Sequence, residues 1–146
     1  MTTGAGTTAN TWAFVFSAWL IALAASLSAL FIGEVMGQTP CNLCWHQRAF
    51  MFPLAVILAV ASFRGDASVS RYGLPLAALG AAIAAFHSLL YARILPAAIE
   101  PCTQDGPSCS GVEMTVLGIL PLPYLSLAAF GSIALLLVLA HRRRST

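Results

Sequence analysis

Four long apolar stretches without a charged residue constrain the fold of this chain more than any other feature. They cover residues 12–32, 49–63, 72–92 and 116–140. A helix that crosses a bilayer needs about 20 residues, so three of these stretches are long enough as they stand. The second becomes long enough when it is extended back to Leu43, and it then contains Arg48. We therefore predict an all-α membrane protein with helices at about 12–32, 43–63, 72–92 and 116–140.

The composition of the 146-residue chain fits a lipid environment and excludes several function classes. Hydrophobic residues make up 59% and charged residues only 8%, whereas soluble domains carry roughly 25% charged residues. So few charges cannot cover a water-facing surface, which excludes a soluble enzyme and a disordered chain. The net charge of +2 is too small for a nucleic-acid-binding surface. We expect residues 1–146 to form a single membrane domain, a four-helix bundle in contact with lipid.

The arginines predict which side of the membrane each connection faces. Four spans put both termini on the same side as the connection 64–71. This side carries most of the arginines, namely Arg64, Arg71, Arg142, Arg143 and Arg144. The other side carries only Arg48 and Arg93. Because cytoplasmic loops are enriched in Arg and Lys, we predict that both termini are cytoplasmic and that loops 33–40 and 93–115 lie outside the cytoplasm.

All four cysteines belong to the parts of the chain that this topology puts outside the cytoplasm. Cys41 and Cys44 stand at the outer start of the second span, and Cys102 and Cys109 stand in the long outer loop. Disulfides persist in the compartment outside a bacterial inner membrane. Two interpretations of the Cys102–Cys109 pair stay open at this point: a structural disulfide within its loop, or a pair that exchanges with other thiols.

The Cys41-Asn-Leu-Cys44 motif favours redox chemistry over a structural role. A two-residue spacer closes a very small ring, so a disulfide here stabilises the fold little. Pro40 suits the beginning of a helix, which predicts both sulfurs in the first turn, where free N–H groups and the helix dipole favour thiolates. A zinc site made of all four cysteines is an alternative. The spacing of Cys102 and Cys109 is not that of a zinc knuckle, so we assign no metal.

Arg48 and His87 are the ionisable candidates near these sulfurs. At about 100° per residue, Cys41, Cys44 and Arg48 fall on one helix face, and His46 points away. An arginine inside a membrane is a functional hypothesis by default, with an anchor that extends to the headgroups as the alternative. A fixed cation at this depth suits a membrane quinone, which gains negative charge on reduction. His87, in the third span, is either a packing histidine or a quinone ligand or proton donor.

The cysteine motifs resemble those of a known family. The second span opens with Cys41-Asn-Leu-Cys44-Trp45-His46-Gln47-Arg48, which resembles the motif of DsbB-type disulfide bond formation proteins. Their short, BdbC-like branch is the closer match, through Met51-Phe52-Pro53-Leu54, Pro101-Cys102 and Ser108-Cys109-Ser110-Gly111. The resemblance covers the chain from residue 12 to residue 140.

The resemblance implies an enzyme of the bacterial inner membrane that reoxidises an extracytoplasmic thioredoxin-like dithiol oxidase of the DsbA or BdbD type. By position, Cys102 forms the mixed disulfide with the partner, and Cys109 pairs with Cys102 and exchanges with Cys41. The loop between Cys102 and Cys109 is much shorter than in the longer proteobacterial members, which distinguishes this chain from them.

The resemblance also implies that the electrons pass to a quinone, menaquinone or ubiquinone, at the start of the second span. Cys44 then faces the quinone with Arg48 beside it, and His87 is similar in placement to a quinone-site histidine of the family. Quinone reduction drives disulfide formation, so no nucleotide or metal is required.

Three other functions are alternatives. A non-enzymatic membrane scaffold held by two structural disulfides is the alternative from another class, and the short ring and Arg48 argue against it. An enzyme like vitamin K epoxide reductase has its C-x-x-C late in the bundle, whereas Cys41 and Cys44 open the second span. A thiol exporter needs cysteines within its spans, and none lies in the apolar middle of a span here.

Overall fold

Four long helices account for most of the described structure. The computed structural model describes residues 3–96, 115–116 and 120–144. The helices are α1 (Thr3–Leu30, continued by a π-helical turn at Phe31–Val35), α2 (Asn42–Arg64), α3 (Ser70–Tyr91) and α4 (Leu122–Arg144). Each contains a segment that is long and apolar enough to cross a membrane. The prediction of an all-α membrane bundle of four helices is therefore confirmed.

The helices pack in a square, in which each helix has two neighbours. α1 contacts α2 and α4, and α3 contacts the same two helices. Their shared core consists of small and aliphatic side chains that are buried, among them Val15, Ala18, Leu54, Leu58, Ala77, Ile133 and Leu137. α3 and α4 approach each other closely at Gly80, where the Phe130 ring occupies the space that a Cβ would need. Small residues allow such close approach between membrane helices.

Hydrogen bonds stabilise the end of the bundle that contains the α2–α3 connection. Gly65 ends α2 in the left-handed conformation (φ 65°), which glycine adopts without strain. Asp66 follows and accepts hydrogen bonds from the hydroxyl and the backbone N–H of Ser68, which hold the pKa of its carboxyl below the usual value. Trp12 Nε1 donates to the Ser62 carbonyl oxygen at 2.8 Å. This bond ties α1 to the end of α2.

The fourth helix begins later than the hydrophobic pattern predicts. The apolar pattern places the fourth span at 116–140, and Pro121 and Pro123 near its start are expected to kink or delay the helix. In the structure α4 begins at Leu122. Before it, Thr115–Val116 (β1) and Leu120–Pro121 (β2) pair as two short antiparallel strands. Pro121 disfavours a helical conformation of the residue before it, whereas Pro123 lies in the first turn of α4, where a missing N–H costs no helical hydrogen bond. The late start of α4 is therefore an effect of proline that the hydrophobicity pattern alone does not show.

Candidate functional site

Cys41 and Cys44 lie at the N-terminal end of α2, opposite the end that contains the α2–α3 connection. Cys41 caps the helix: its backbone is extended (φ −68°, ψ 168°), and its sulfur accepts a hydrogen bond from the Cys44 N–H at 3.3 Å. The two sulfur atoms lie 2.8 Å apart, so a disulfide between them requires little backbone movement. We expected both cysteines in the first turn, but α2 begins at Asn42, and only Cys44 lies within the helix.

Cys41 is buried, although it lies just before the first residue of α2. Its side chain is 0% exposed and clusters with Leu43 and Leu90, whereas Cys44 is half-buried. The hydrogen bond with the Cys44 sulfur, together with burial, raises the pKa of the Cys41 thiol, and the contact with His87 only partly opposes this. The hydrogen bond and the burial thus act on Cys41 against the helix start, which favours a thiolate.

Arg48 is held between α1 and α2 and is not extended away from the bundle. Its Nη2 donates to the Ala29 carbonyl oxygen at 2.7 Å. Gly33 leaves room for the guanidinium, because a Cβ there would lie 3.1 Å from Nη2. The guanidinium carbon also lies 5.5 Å from the centre of the Trp45 ring, within the range of a cation–π contact. These contacts fix a positive charge on α2 one helical turn after Cys44.

His87 of α3 connects to the cysteine pair and to a glutamine for which the sequence alone suggested no role. Its Nε2 lies 3.9 Å from the Cys41 sulfur, and its Nδ1 lies 2.9 Å from the amide nitrogen of Gln47. His87 is 1% exposed and Gln47 is 8% exposed. The signal that marks Gln47 in the sequence is an uncharged polar residue in an apolar span, one helical turn after Cys44.

A cavity of about 1170 Å³ lies beside Cys44. Part of its wall is polar and is formed by Cys44, Gln47, Arg48 and His87. The remaining wall is mostly apolar and comes largely from α1, α2 and α4, including Ile21, Ala25, Met51, Phe52, Leu125 and Phe130. An apolar cavity with a few convergent polar groups is typical of a small-molecule site. Exposed His46 takes no part in this wall and instead bonds through Nδ1 to the Asn42 carbonyl oxygen at 2.8 Å.

The structure brings together four of the residues that the sequence singles out: Cys41, Cys44, Arg48 and His87. Cys102 and Cys109 lie outside the described residues. Tyr91, one turn after His87, packs against the cluster around Cys41, and its ring meets that of Tyr124 edge to face with 5.7 Å between the ring centres.

Comparison with known proteins assigns the chain to a family. The model of a family described as "Disulfide bond formation protein DsbB" matches residues 9–140. A "Probable disulfide formation protein" of Metapseudomonas resinovorans is 60% identical over 91% of this chain and 92% of its own. "Disulfide bond formation protein C" of Bacillus subtilis is 38% identical over 93% of this chain and 98% of its own. No solved structure matches the chain. This protein therefore belongs to the DsbB family of disulfide bond formation proteins, multi-pass membrane oxidoreductases that take part in disulfide formation.

Proposed function

We propose that this protein reoxidises an extracytoplasmic thioredoxin-like dithiol oxidase and passes the electrons to a membrane quinone, menaquinone or ubiquinone. The observation that supports this most strongly is that the Cys41–Cys44 pair borders an apolar cavity that also contains Arg48 and His87. A disulfide that only stabilised the fold would need neither the cavity nor the cation beside it.

The loop cysteines carry the exchange with the partner. A thiolate of the reduced partner attacks Cys102 of a Cys102–Cys109 disulfide, and Cys109 leaves as a thiolate. The second partner thiol then attacks the mixed disulfide, so the partner leaves oxidised and the loop pair stays reduced. Cys109 next attacks Cys41 of the Cys41–Cys44 disulfide, and Cys102 resolves that mixed disulfide. Two electrons and two protons have then moved from the partner to the Cys41–Cys44 pair.

The cavity beside Cys44 fits an isoprenoid quinone in its chemistry, because its apolar walls suit the ring and tail and its polar groups converge near the sulfur. A quinone bound there supplies a two-electron acceptor for the reduced cysteine pair. Arg48 holds a fixed positive charge at this wall, where negative charge develops. The Gln47 amide donates to Nδ1 of His87 and thereby keeps the imidazole proton on Nε2, which faces the Cys41 sulfur.

The proposed orientation puts the cysteine end outside the cytoplasm of a bacterial cell. The opposite end carries exposed arginines, and arginine is enriched in cytoplasmic segments. They are Arg64, Arg71, Arg142, Arg143 and Arg144. Arg143 of α4 lies 5.4 Å from the Phe14 ring of α1, so the end of α4 and the beginning of the span in α1 share this side. A reporter at the C-terminus should therefore read cytoplasm, and a reporter within 33–40 should read outside. The reverse pattern contradicts the orientation.

The direct test of the function is quinone reduction by purified protein supplied with a reduced thioredoxin-like substrate. Wild-type protein should reduce quinone in step with substrate disulfide formation. Cys44→Ser should abolish quinone reduction, and His46→Ala, a change of an exposed histidine in the same motif, should leave the rate unchanged. A membrane scaffold predicts no quinone reduction by wild-type protein, and that result would end the proposal.

A further inference from the structure

At the end of the bundle that contains Cys41 and Cys44, two sulfurs and one imidazole nitrogen lie close together. The thiol–disulfide exchange proposed above does not require the nitrogen to be there. The Sγ atoms of Cys41 and Cys44 and a ring nitrogen of His87 all lie within 4.8 Å of one another. Cys41 and His87 are buried, and Cys44 is half-buried. This set differs from a site of four cysteines, because the third ligand comes from α3 and not from the outer loop. Thiolate sulfur and imidazole nitrogen are the ligands that Zn²⁺ prefers.

The distances are close to those of a tetrahedral Zn²⁺ site. Zn–S bonds of about 2.3 Å and Zn–N bonds of about 2.0–2.1 Å separate two sulfur ligands by roughly 3.7 Å and a sulfur from a nitrogen by roughly 3.5 Å. The distance from Cys41 Sγ to His87 Nε2 is already 3.9 Å, and the two sulfurs lie 2.8 Å apart. The sulfurs must therefore separate by about 1 Å. Cys44 borders the cavity and has room to move.

The surroundings supply the remaining parts of a metal site. A ligating histidine usually bonds through its other ring nitrogen to a supporting group, and Gln47 occupies that place on Nδ1 of His87 at 2.9 Å. When Nε2 ligates a metal, Nδ1 carries the proton, and a rotated Gln47 amide accepts it through its oxygen. Cys44 and His87 both line the cavity. The cavity thus provides the entry path and space for a water as the fourth ligand.

Charge balance favours a divalent ion here. Two thiolates and one Zn²⁺ form a unit without net charge, so a bound ion adds no charge to the buried site beyond that of Arg48, whose guanidinium is hydrogen-bonded to the Ala29 carbonyl. Binding converts two thiols to zinc thiolates, releases two protons and transfers no electron. The disulfide form of the pair has no thiolate to offer, so the site exists only when the pair is reduced.

We propose that the reduced Cys41–Cys44 pair and His87 form a Zn²⁺ site, and that bound Zn²⁺ holds the pair reduced by occupying both sulfurs. The binding itself does not depend on the quinone function proposed above. Its consequence for turnover does, because a zinc-bound pair cannot form the disulfide through which the electrons leave.

The experiment measures zinc binding by purified full-length protein in detergent, in a Cys102→Ala/Cys109→Ala background that removes the loop thiols. The reduced protein should bind one Zn²⁺ per chain, and the oxidised protein should bind none. Co²⁺ in place of Zn²⁺ should give the absorption of a tetrahedral site with thiolate ligands. His87→Ala, which removes a ligand, should weaken binding by more than the roughly 10- to 100-fold that loss of a supporting group such as Gln47 costs.

Control variants distinguish this site from zinc binding elsewhere on the protein. His46→Ala removes an exposed histidine that bonds only to its own turn in the described contacts, and it should bind zinc as the parent does. Equal binding by oxidised and reduced protein, or by His87→Ala and its parent, overturns the proposal. Binding that requires Cys102 and Cys109 also overturns it, in favour of a four-cysteine site. Failure of wild-type protein to reduce quinone in zinc-free buffer contradicts the proposed function and leaves the zinc result standing.

Discussion

The two ends of the bundle use polar groups for different purposes. One end contains Trp12 and Asp66, and the other contains Cys41 and Arg48. At the first end, Trp12 donates to a backbone carbonyl near the end of α2, and its ring stacks on that of Phe16 with 4.9 Å between the ring centres. Asp66 accepts from the backbone of the α2–α3 connection. At the second end, polar side chains reach between helices and border a cavity. Loss of a polar group should therefore cost stability at the first end and chemistry at the second.

We expect the largest effect from substitution of the cysteines, which tests the reaction step that each cysteine pair carries out. Cys102→Ala should abolish partner oxidation but leave the Cys41–Cys44 pair able to be reoxidised by quinone. Cys44→Ser should block quinone reduction yet still allow a mixed disulfide between Cys102 and the partner to be trapped. Partner oxidation at the normal rate by Cys102→Ala protein would show that the loop pair is structural.

The next effect is at Arg48, which the structure holds inside the bundle. Arg48→Lys keeps the charge but loses the planar donors that reach Ala29. The loss of one or two such contacts costs about 1.5–3 kcal/mol, which corresponds to a roughly tenfold to hundredfold drop in quinone affinity or turnover. Arg48→Ala should be worse. Thiol exchange between the loop pair and the partner, measured without quinone, should hardly change. Normal quinone kinetics in well-inserted Arg48→Ala protein would make Arg48 an anchor only.

A substitution between the two ends separates packing from chemistry. Gly80→Ala puts a methyl group into the space of the Phe130 ring, and such overpacking typically costs about 1–3 kcal/mol in stability. Gly131→Ala is the matched control, because a Cβ there meets nothing within 4 Å. Thermal unfolding in detergent should show a lower midpoint for Gly80→Ala and no loss for Gly131→Ala. Equal midpoints for the two variants would mean that the α3–α4 approach at Gly80 is not tight.

The smallest expected effect is at Asp66. Asp66→Ala removes a side-chain acceptor at a helix N-terminus, which typically costs about 1 kcal/mol, and it should leave quinone reduction unchanged. Because the folded protein holds the pKa of Asp66 below the usual value, its contribution to stability is present above about pH 4 and declines as the pH falls through the lowered pKa. Unfolding midpoints of the parent and the variant should therefore converge on acidification. A difference that grows in acid contradicts this assignment.

Local pattern predicts much of this molecule, and contacts between helices account for what it misses. Apolar stretches predict the four helices, and the Cys41–Cys44 spacing predicts the redox pair. The bond between Gln47 and His87 joins residues forty positions apart and depends on how α2 and α3 are rotated against each other. The Ala29 acceptor for Arg48 likewise depends on the fit of α1 to α2. Helix periodicity identifies the face that a residue occupies, but not the neighbour that the face meets.

The central claim is that the Cys41–Cys44 pair exchanges electrons with quinone, and its redox state in cells tests this most directly. Thiol alkylation followed by a mass shift reports whether the pair is reduced in membranes with normal and with depleted quinone. We predict that the reduced form accumulates when quinone is depleted and disappears when quinone is restored. A pair that stays oxidised whether or not quinone is present would contradict the claim and leave a structural disulfide.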